Sequence, residues 1–301
     1  MVLFFLFAVL VGSVSADECN NWQTLHPEWL FCDDFENGFG SWNSVDPQAT
    51  LINDSGIVFQ GTSAEVVAHM GGGDSNFELY LNPRQEQVHV RYYVKFDPGT
   101  DWPHHMGGIT AIRPLNPPYW PNAGYAPPGD AAFWSSLEPD SYNGGRYWLF
   151  YTYWHEMHSW TSPDGSPVGC TDNCYYGNVF APEQEQVQRD RWYCIEAMLK
   201  ANTPNQYDGE QAFWVDDQLI GDYRLGNPVG NWLTDKFHTW GPYYNPNTAL
   251  PFEGYNWRNH SDVLINNVQL QWYHSSGNGP EDIVYYDNVV VSTNRIGCVG
   301  Y

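Results

Sequence analysis

Basic residues are what this 301-residue chain has least of: Lys and Arg number 12 against 35 Asp and Glu, a formal charge of −23. A field of that sign repels polyanions, which excludes a general nucleic-acid-binding or anionic-membrane role. It also counts against a polyuronate substrate. Salt nevertheless screens the field beyond about 8–10 Å, so a local Arg/His cluster can still hold one uronate carboxylate. Long apolar runs are missing as well, apart from residues 1–16. That run is too short to span a bilayer and ends Ser13-Val14-Ser15-Ala16, a small-residue cleavage pattern without a basic flank. Residues 1–16 are therefore expected to be a secretory signal peptide. The mature chain is expected to be soluble, extracellular and monomeric.

Also absent are a helical period of apolar residues, an internal repeat and a Ser/Gly/Pro-rich linker. Length alone would suggest two domains, but β-sandwiches of this size occur as one unit, so residues 17–301 are expected to form a single domain. The six cysteines suit disulfides in an oxidising compartment. Cys170 and Cys174 stand four apart, not in a CxxC pattern, and no second Cys/His pair lies nearby, which argues against zinc. Proximity predicts the pairs Cys170–Cys174 and Cys19–Cys32. Asn53-Asp54-Ser55 and Asn259-His260-Ser261 are glycosylation sequons, relevant in a eukaryotic secretory pathway.

What the chain does have is 28 Gly, 21 Pro and 17% aromatic residues, a composition of many short strands, looping connections and a large apolar area to bury. The organising stretch is 191–221. Two alternating runs, Trp192–Lys200 and Glu210–Val215, flank an Asn-Thr-Pro-Asn-Gln-Tyr-Asp-Gly connection that reads as a hairpin loop, and a tighter turn follows at Asp216-Asp217. Gln87–Phe96 alternates most cleanly, placing His89, Arg91, Tyr93 and Lys95 on one face. Residues 57–67, with Gly61-Thr62-Ser63 inside, read as a hairpin, and further strands are expected at 147–155, 263–274 and 283–292, with a short one at His105–Ile112. The aromatic, Pro- and Gly-rich stretches 97–145 and 222–261 read as long loops, of the kind that wall a cleft. The pattern predicts an all-β, concanavalin-like β-jelly-roll of two antiparallel sheets, a class that usually handles sugars.

Two catalytic signatures are missing. The ExDxxE carboxylates of laminarinase-like sandwiches do not follow Glu138-Pro139-Asp140, which disfavours retaining glycoside hydrolysis. His155-Glu156-Met157-His158 has its histidines three apart at a strand end, not four apart on a helix, so it is no zincin motif.

Phe31-Cys32-Asp33-Asp34-Phe35-Glu36-Asn37-Gly38, Val88-His89-Val90-Arg91, Trp192-Tyr193-Cys194-Ile195-Glu196 and Tyr286-Asp287-Asn288-Val289 with Arg295-Ile296-Gly297-Cys298 occur in that order. Together they resemble the fungal glucuronan-lyase type of β-jelly-roll polysaccharide lyase and, more strongly, its secreted cellulase-co-induced relatives. The aromatic insertions at 113–145 and 222–261 depart from that pattern. The resemblance implies the disulfide Cys194–Cys298. It also implies a structural calcium ion held by the Glu36 and Asp287 carboxylates, the Gln60 carbonyl and Ser63, which stands where the family has Asn.

The activity so implied is β-elimination from a uronate. That chemistry needs a cation or donor on the C6 carboxylate, a base for the C5 proton and an acid for the departing oxygen. Arg91, His105 and Gln271 would hold the carboxylate, with Tyr153 or Tyr273 transferring protons. His89, Tyr93, Tyr151, His155 and Trp120 complete the expected substrate-binding set. For Arg91 the ordinary alternative is a solvated polar residue on an exposed sheet face. Most of the 21 tyrosines must serve packing or sugar stacking. The competing function is a non-catalytic protein that binds neutral glucans through Tyr119 and Trp120.

Overall fold

A computed structural model of the protein describes residues 18–47, 49–69, 73–160, 174–274 and 282–299. The expected signal peptide and Cys170 lie outside the described residues.

Two sheets face one another. The back sheet has eight strands, in the order Gln218–Tyr223, Glu210–Val215, Trp192–Lys200, Gln87–Phe96, Asp282–Ser292, Ala64–His69 and Ala49–Ile52. Its eighth strand, Trp29–Asp33, also pairs with Asp282–Ser292. The front sheet has ten. At its centre Gly145–Tyr153, Ala132–Tyr142, His105–Ile112, Ile265–His274 and Gly73–Gln85 lie side by side. Pairing is antiparallel throughout, except where Asn178–Ala181 runs parallel to Lys236–His238. This is the expected all-β jelly-roll sandwich.

The core follows from alternation. Every second residue of Gln87–Phe96 points inward, so Val88, Val90, Tyr92, Val94 and Phe96 meet Phe133, Leu137, Trp148, Phe150, Leu270 and Trp272 of the front sheet in one apolar cluster. The hairpin forms in the expected register, from Ile195 opposite Val215 to Lys200 opposite Glu210. At the following turn Asp216 and Asp217 both have positive φ, 50° and 66°, the backbone of a tight two-residue hairpin turn. The Asp216 carboxylate fixes that turn by accepting hydrogen bonds from the Cys194 amide at 3.0 Å and Arg191 at 2.6 Å.

The other face of Gln87–Phe96 differs from the sequence expectation. His89, Arg91 and Tyr93 are buried, at 5%, 0% and 0% exposure, because both ends of the chain cross the outer face of the back sheet. Arg91 donates to Glu18 and to the Asn288 carbonyl at 2.9 Å. The Tyr93 hydroxyl donates to the Val299 carbonyl at 2.7 Å. His89 meets the buried Glu196 carboxylate at 2.9 Å, and Arg295 and the amides of Ile296 and Gly297 converge on that same carboxylate. Disulfides Cys19–Cys32 and Cys194–Cys298 pin the two ends there. Replacing Cys194 and Cys298 by Ser reopens a loop spanning 104 residues and is expected to cost about 4–5 kcal/mol in the chain-entropy picture. Denaturant titration of the variant against the oxidised protein checks this.

Several strands lie where loops were expected. Ala132–Tyr142 falls inside 97–145, and Val229–Leu233, Lys236–His238 and Leu250–Pro251 fall inside 222–261. Ala132–Tyr142 is buried on both faces for most of its length, so it lacks the alternation that would mark it. Its Pro139 is tolerated because pairing with His105–Ile112 ends at Ser135, leaving no ladder bond for a missing N–H to break.

Candidate active site

The outer face of the front sheet holds a cleft of about 530 Å³. Five strands and one loop supply its walls: Asn76 and Glu78 from Gly73–Gln85, His105 and Thr110 with the preceding His104, Trp134, Tyr153, Gln269 and Tyr273, and Trp120–Ala123 from the loop that follows His105–Ile112. Alternation along Ile265–His274 buries Val268, Leu270 and Trp272, and so sets Gln269, Gln271 and Tyr273 on the cleft face. A bulge between Leu270 and Tyr273 shifts the register and brings Tyr273 opposite His105. Gly107 makes this possible: its φ is +91°, and a Cβ there would lie 2.2 Å from the Gln269 carbonyl oxygen.

His105 is the hub of the site. Its Nδ1 donates to the Glu138 carboxylate at 3.1 and 3.2 Å. Its ring stacks at 5.9 Å on Tyr273 and lies 5.0 Å from Tyr151, 5.8 Å from Trp134 and 4.2 Å from His104. Glu138 is buried and also accepts from the Ser136 hydroxyl at 2.8 Å. Burial disfavours the His105 cation, but the Glu138 charge and hydrogen bond, helped by Asp140, outweigh it and lift the imidazole above its ordinary value. His104 moves the opposite way. Partial desolvation and then the His105 charge lower it, so at neutral pH it is the uncharged member of the pair. The hydroxyls of Tyr151 and Tyr153 are 3.3 Å apart, and burial pushes both phenols up, so both keep their protons.

Of the residues expected at the site, His105, Tyr151, Tyr153, Gln271, Tyr273 and Trp120 share this face. Arg91, His89 and Tyr93 do not. They sit on the outer face of the opposite sheet beneath the chain ends, which corrects their expected place beside His105. His155 lies beyond the end of Gly145–Tyr153, packed against Gly129, and does not line the cleft.

The Glu36 and Asp287 carboxylates, from distant parts of the chain, both reach the 59–63 turn, away from the cleft. A bulge in Asp282–Ser292 between Asp287 and Val290 turns the buried Asp287 carboxylate toward the 59–63 turn, where it accepts the amides of Phe59 and Gln60, each at 3.2 Å. Glu36 accepts the Ser63 amide at 2.8 Å, and Ser63 donates to Asn53 Oδ1 at 2.8 Å. Burial pushes the Asp287 carboxyl up to about 8, against the backbone hydrogen bonds that lower it, and the Glu36 charge adds to the rise. Among the described residues no group of three or more His, Cys, Asp or Glu forms a metal cluster; the donors here are two carboxylates with amide and hydroxyl oxygens.

No protein-family model matches the chain, and no curated protein matches it. Solved structures do. The alginate lyase vAL-1 from Chlorella virus superposes with a TM-score of 0.55 at 15% identity, over 85% of this chain and 94% of the viral one. The alginate lyase from Aplysia kurodai gives 0.55 at 11% identity, over 88% and 99%. The fold is that of the jelly-roll polysaccharide lyases. The endo-β-1,4-glucuronan lyase of Trichoderma reesei also matches, at 17% identity over 88% and 96%, but its TM-score of 0.48 carries no argument.

Within this lyase fold, His104, Glu138, Trp134, Asn76 and Gln269 are cleft residues that the sequence reading did not assign. His104 was visible only as a loop histidine after Trp102-Pro103. Glu138 entered only as part of a failed hydrolase motif. The signal for both is register across strands, which one sequence does not display.

Proposed function

We propose that the protein is a secreted polysaccharide lyase that cleaves a uronic-acid-containing chain by β-elimination. One observation carries the reading: two adjacent histidines in the cleft are driven in opposite directions, His105 toward the cation and His104 toward the free base. Titratable neighbours pushed apart in this way are suited to divided roles. His105, held by Glu138, and Gln271 neutralise the C6 carboxylate and stabilise the charge that builds on it. His104 removes the C5 proton. The electron pair forms the C4–C5 double bond as the bond from C4 to the glycosidic oxygen breaks, and that oxygen takes a proton from Tyr153 or Tyr273. The raised phenol of Tyr153 suits a donor. Trp134 and Trp120 offer stacking surfaces for neighbouring sugars.

Secretion agrees with the two disulfides, and among the described residues no helix is long and apolar enough to cross a membrane. The test is ultraviolet detection of unsaturated uronate after incubation with glucuronan, alginate and other polyuronates; no product from any of them would sink the reading. A second reading, non-catalytic binding of neutral glucans, is favoured by the cleft lining itself, which includes Glu78 and no Lys or Arg, and by the exposed Trp120. Binding of neutral oligomers without product from any polyuronate would select it.

Glu36, Asp287, Gln60 and Ser63 fit a structural calcium ion. Two carboxylates, one of them fully buried, face each other across the 59–63 turn, and a hard dication would relieve the burial that lifts Asp287. Asn53 Oδ1, already on Ser63, supplies an oxygen where the Ser side chain falls short. Calcium at a hundredfold excess over its Kd is expected to stabilise the fold by about 3 kcal/mol. Coincident melting curves in excess chelator and in added calcium would rule the site out.

A further inference from the structure

The two ends of the cleft differ in charge. His104 and His105 stand at one end. At the other, Glu78 lies opposite Gln269 of the neighbouring strand, and Gln269 precedes Tyr273, the partner of His105, on that same strand. From Gln269 to Tyr273 the strand rises about 13 Å, a little less through the bulge, so a sugar ring on Glu78 is not the ring held at His105. All twelve Lys and Arg lie among the described residues, and none of them lines the cleft. The lining therefore offers a cation at the histidine end alone.

Alternation sets Glu78 on this face. Phe77 and Leu79 belong to the core, so Asn76, Glu78 and Tyr80 point outward. Gln269 donates to Asn76 Oδ1 at 3.0 Å, which places an amide pair beside the Glu78 carboxylate. The Tyr80 hydroxyl donates to Glu78 Oε2. That hydrogen bond, then burial and the Glu78 charge, push the Tyr80 phenol up to about 12, so it keeps its proton and its place. A carboxylate with neighbouring amides suits sugar hydroxyls, since it accepts from O–H groups while the amides both give and accept. The same carboxylate repels a second carboxylate brought alongside it.

We propose that Glu78, with Gln269 and Asn76, determines specificity by accepting a neutral sugar and rejecting a uronate, so that the substrate is a heteropolysaccharide whose cleaved uronate has neutral neighbours. The proposal rests on the uronate-lyase reading and deepens it. One carboxylate is met at His105, and the far end of the cleft is built for hydroxyls. A chain with widely spaced carboxylates is also repelled less by a protein of charge −23 than a homopolyuronate is.

The test compares kcat/KM per uronate on glucuronan and alginate with that on the same polymers after partial reduction of their carboxyls. Reduction keeps the linkages and sets the remaining uronates among neutral sugars. The reduced polymers are expected to be cleaved about tenfold faster per uronate. Glu78→Gln is expected to remove most of that preference, chiefly by lowering KM on the intact polymers. Glu185→Gln, which takes one charge from outside the cleft, is expected to keep it and so separates the local effect from the general field. Where Glu78→Gln does not fold, Glu78→Asp draws the carboxylate back by one methylene and should narrow the preference about threefold. Intact polymers cleaved as fast as reduced ones, or a preference changed equally by Glu78→Gln and Glu185→Gln, overturn the assignment while the lyase reading stands. If no polymer, intact or reduced, yields unsaturated product, the lyase reading itself fails and the specificity assignment with it.

Discussion

Replacing His105 by Ala is expected to lower elimination by about 10²–10⁴-fold while leaving the protein folded. Its side chain is 20% exposed and its partners are cleft residues, so removing it deletes chemistry and opens little core. Glu138 would be left buried beside Ser136 alone, and the resulting loss of stability is smaller than the loss of rate. The pH profile distinguishes the role. Rate requires protonated His105 and neutral His104, so the profile should be bell-shaped. The basic limb belongs to His105, whose pKa is raised, and activity falls as pH rises through it, above the ordinary histidine value. The acidic limb belongs to His104, whose pKa is lowered, and activity falls as pH drops through it, below that value. Glu138→Gln removes the charge that lifts His105 and should pull the basic limb down, and His104→Gln should remove the acidic limb along with most of the rate. A profile unmoved by Glu138→Gln would count against the assignment.

Arg91→Ala is expected to do the reverse, destabilising the fold by about 3–5 kcal/mol with turnover preserved in the folded fraction. Arg91 is fully buried on the outer face of the back sheet, paired to Glu18 and to the Asn288 carbonyl. Truncation strands the Glu18 carboxylate and releases the N-terminal segment from the sheet. It also removes the cation lying 5.2 Å from the Tyr93 ring. Denaturant titration and a rate measurement on the same preparation separate the two effects. An inactive variant of unchanged stability would return Arg91 to the active site.

The contrast between these two residues shows where the sequence stops. Both carry a charge or a potential charge near a strand, and both were expected to hold one carboxylate. Alternation correctly placed Arg91 opposite Val90 and Val94, but it says only that a side chain leaves the core, not what covers it outside. The chain ends cover it, through contacts spanning most of the sequence, so a polar face that looked solvated is buried and paired. His105 was legible as a strand start, yet the rise in its pKa comes from Glu138, 33 residues on, and its ring partner Tyr273 is brought opposite it only through a bulge beside Gly107.

What the sequence determined by itself was local or compositional. Strands such as Gln87–Phe96 and Trp192–Lys200 show their period directly, because side chains alternate every residue and water sorts them. The turn at Asp216-Asp217 lies in residues able to adopt positive φ. The charge of −23 argued against a polyanionic partner such as nucleic acid before any fold was known. The tertiary structure decided which strands are neighbours, and with that the cleft, the opposed histidines and the meeting of Glu36 and Asp287 at the 59–63 turn. It also revealed Ala132–Tyr142, whose burial on both faces erases the pattern by which a strand is seen. Strand order and register are fixed by packing between distant segments, so the residues that meet in the cleft carry no common mark in the chain.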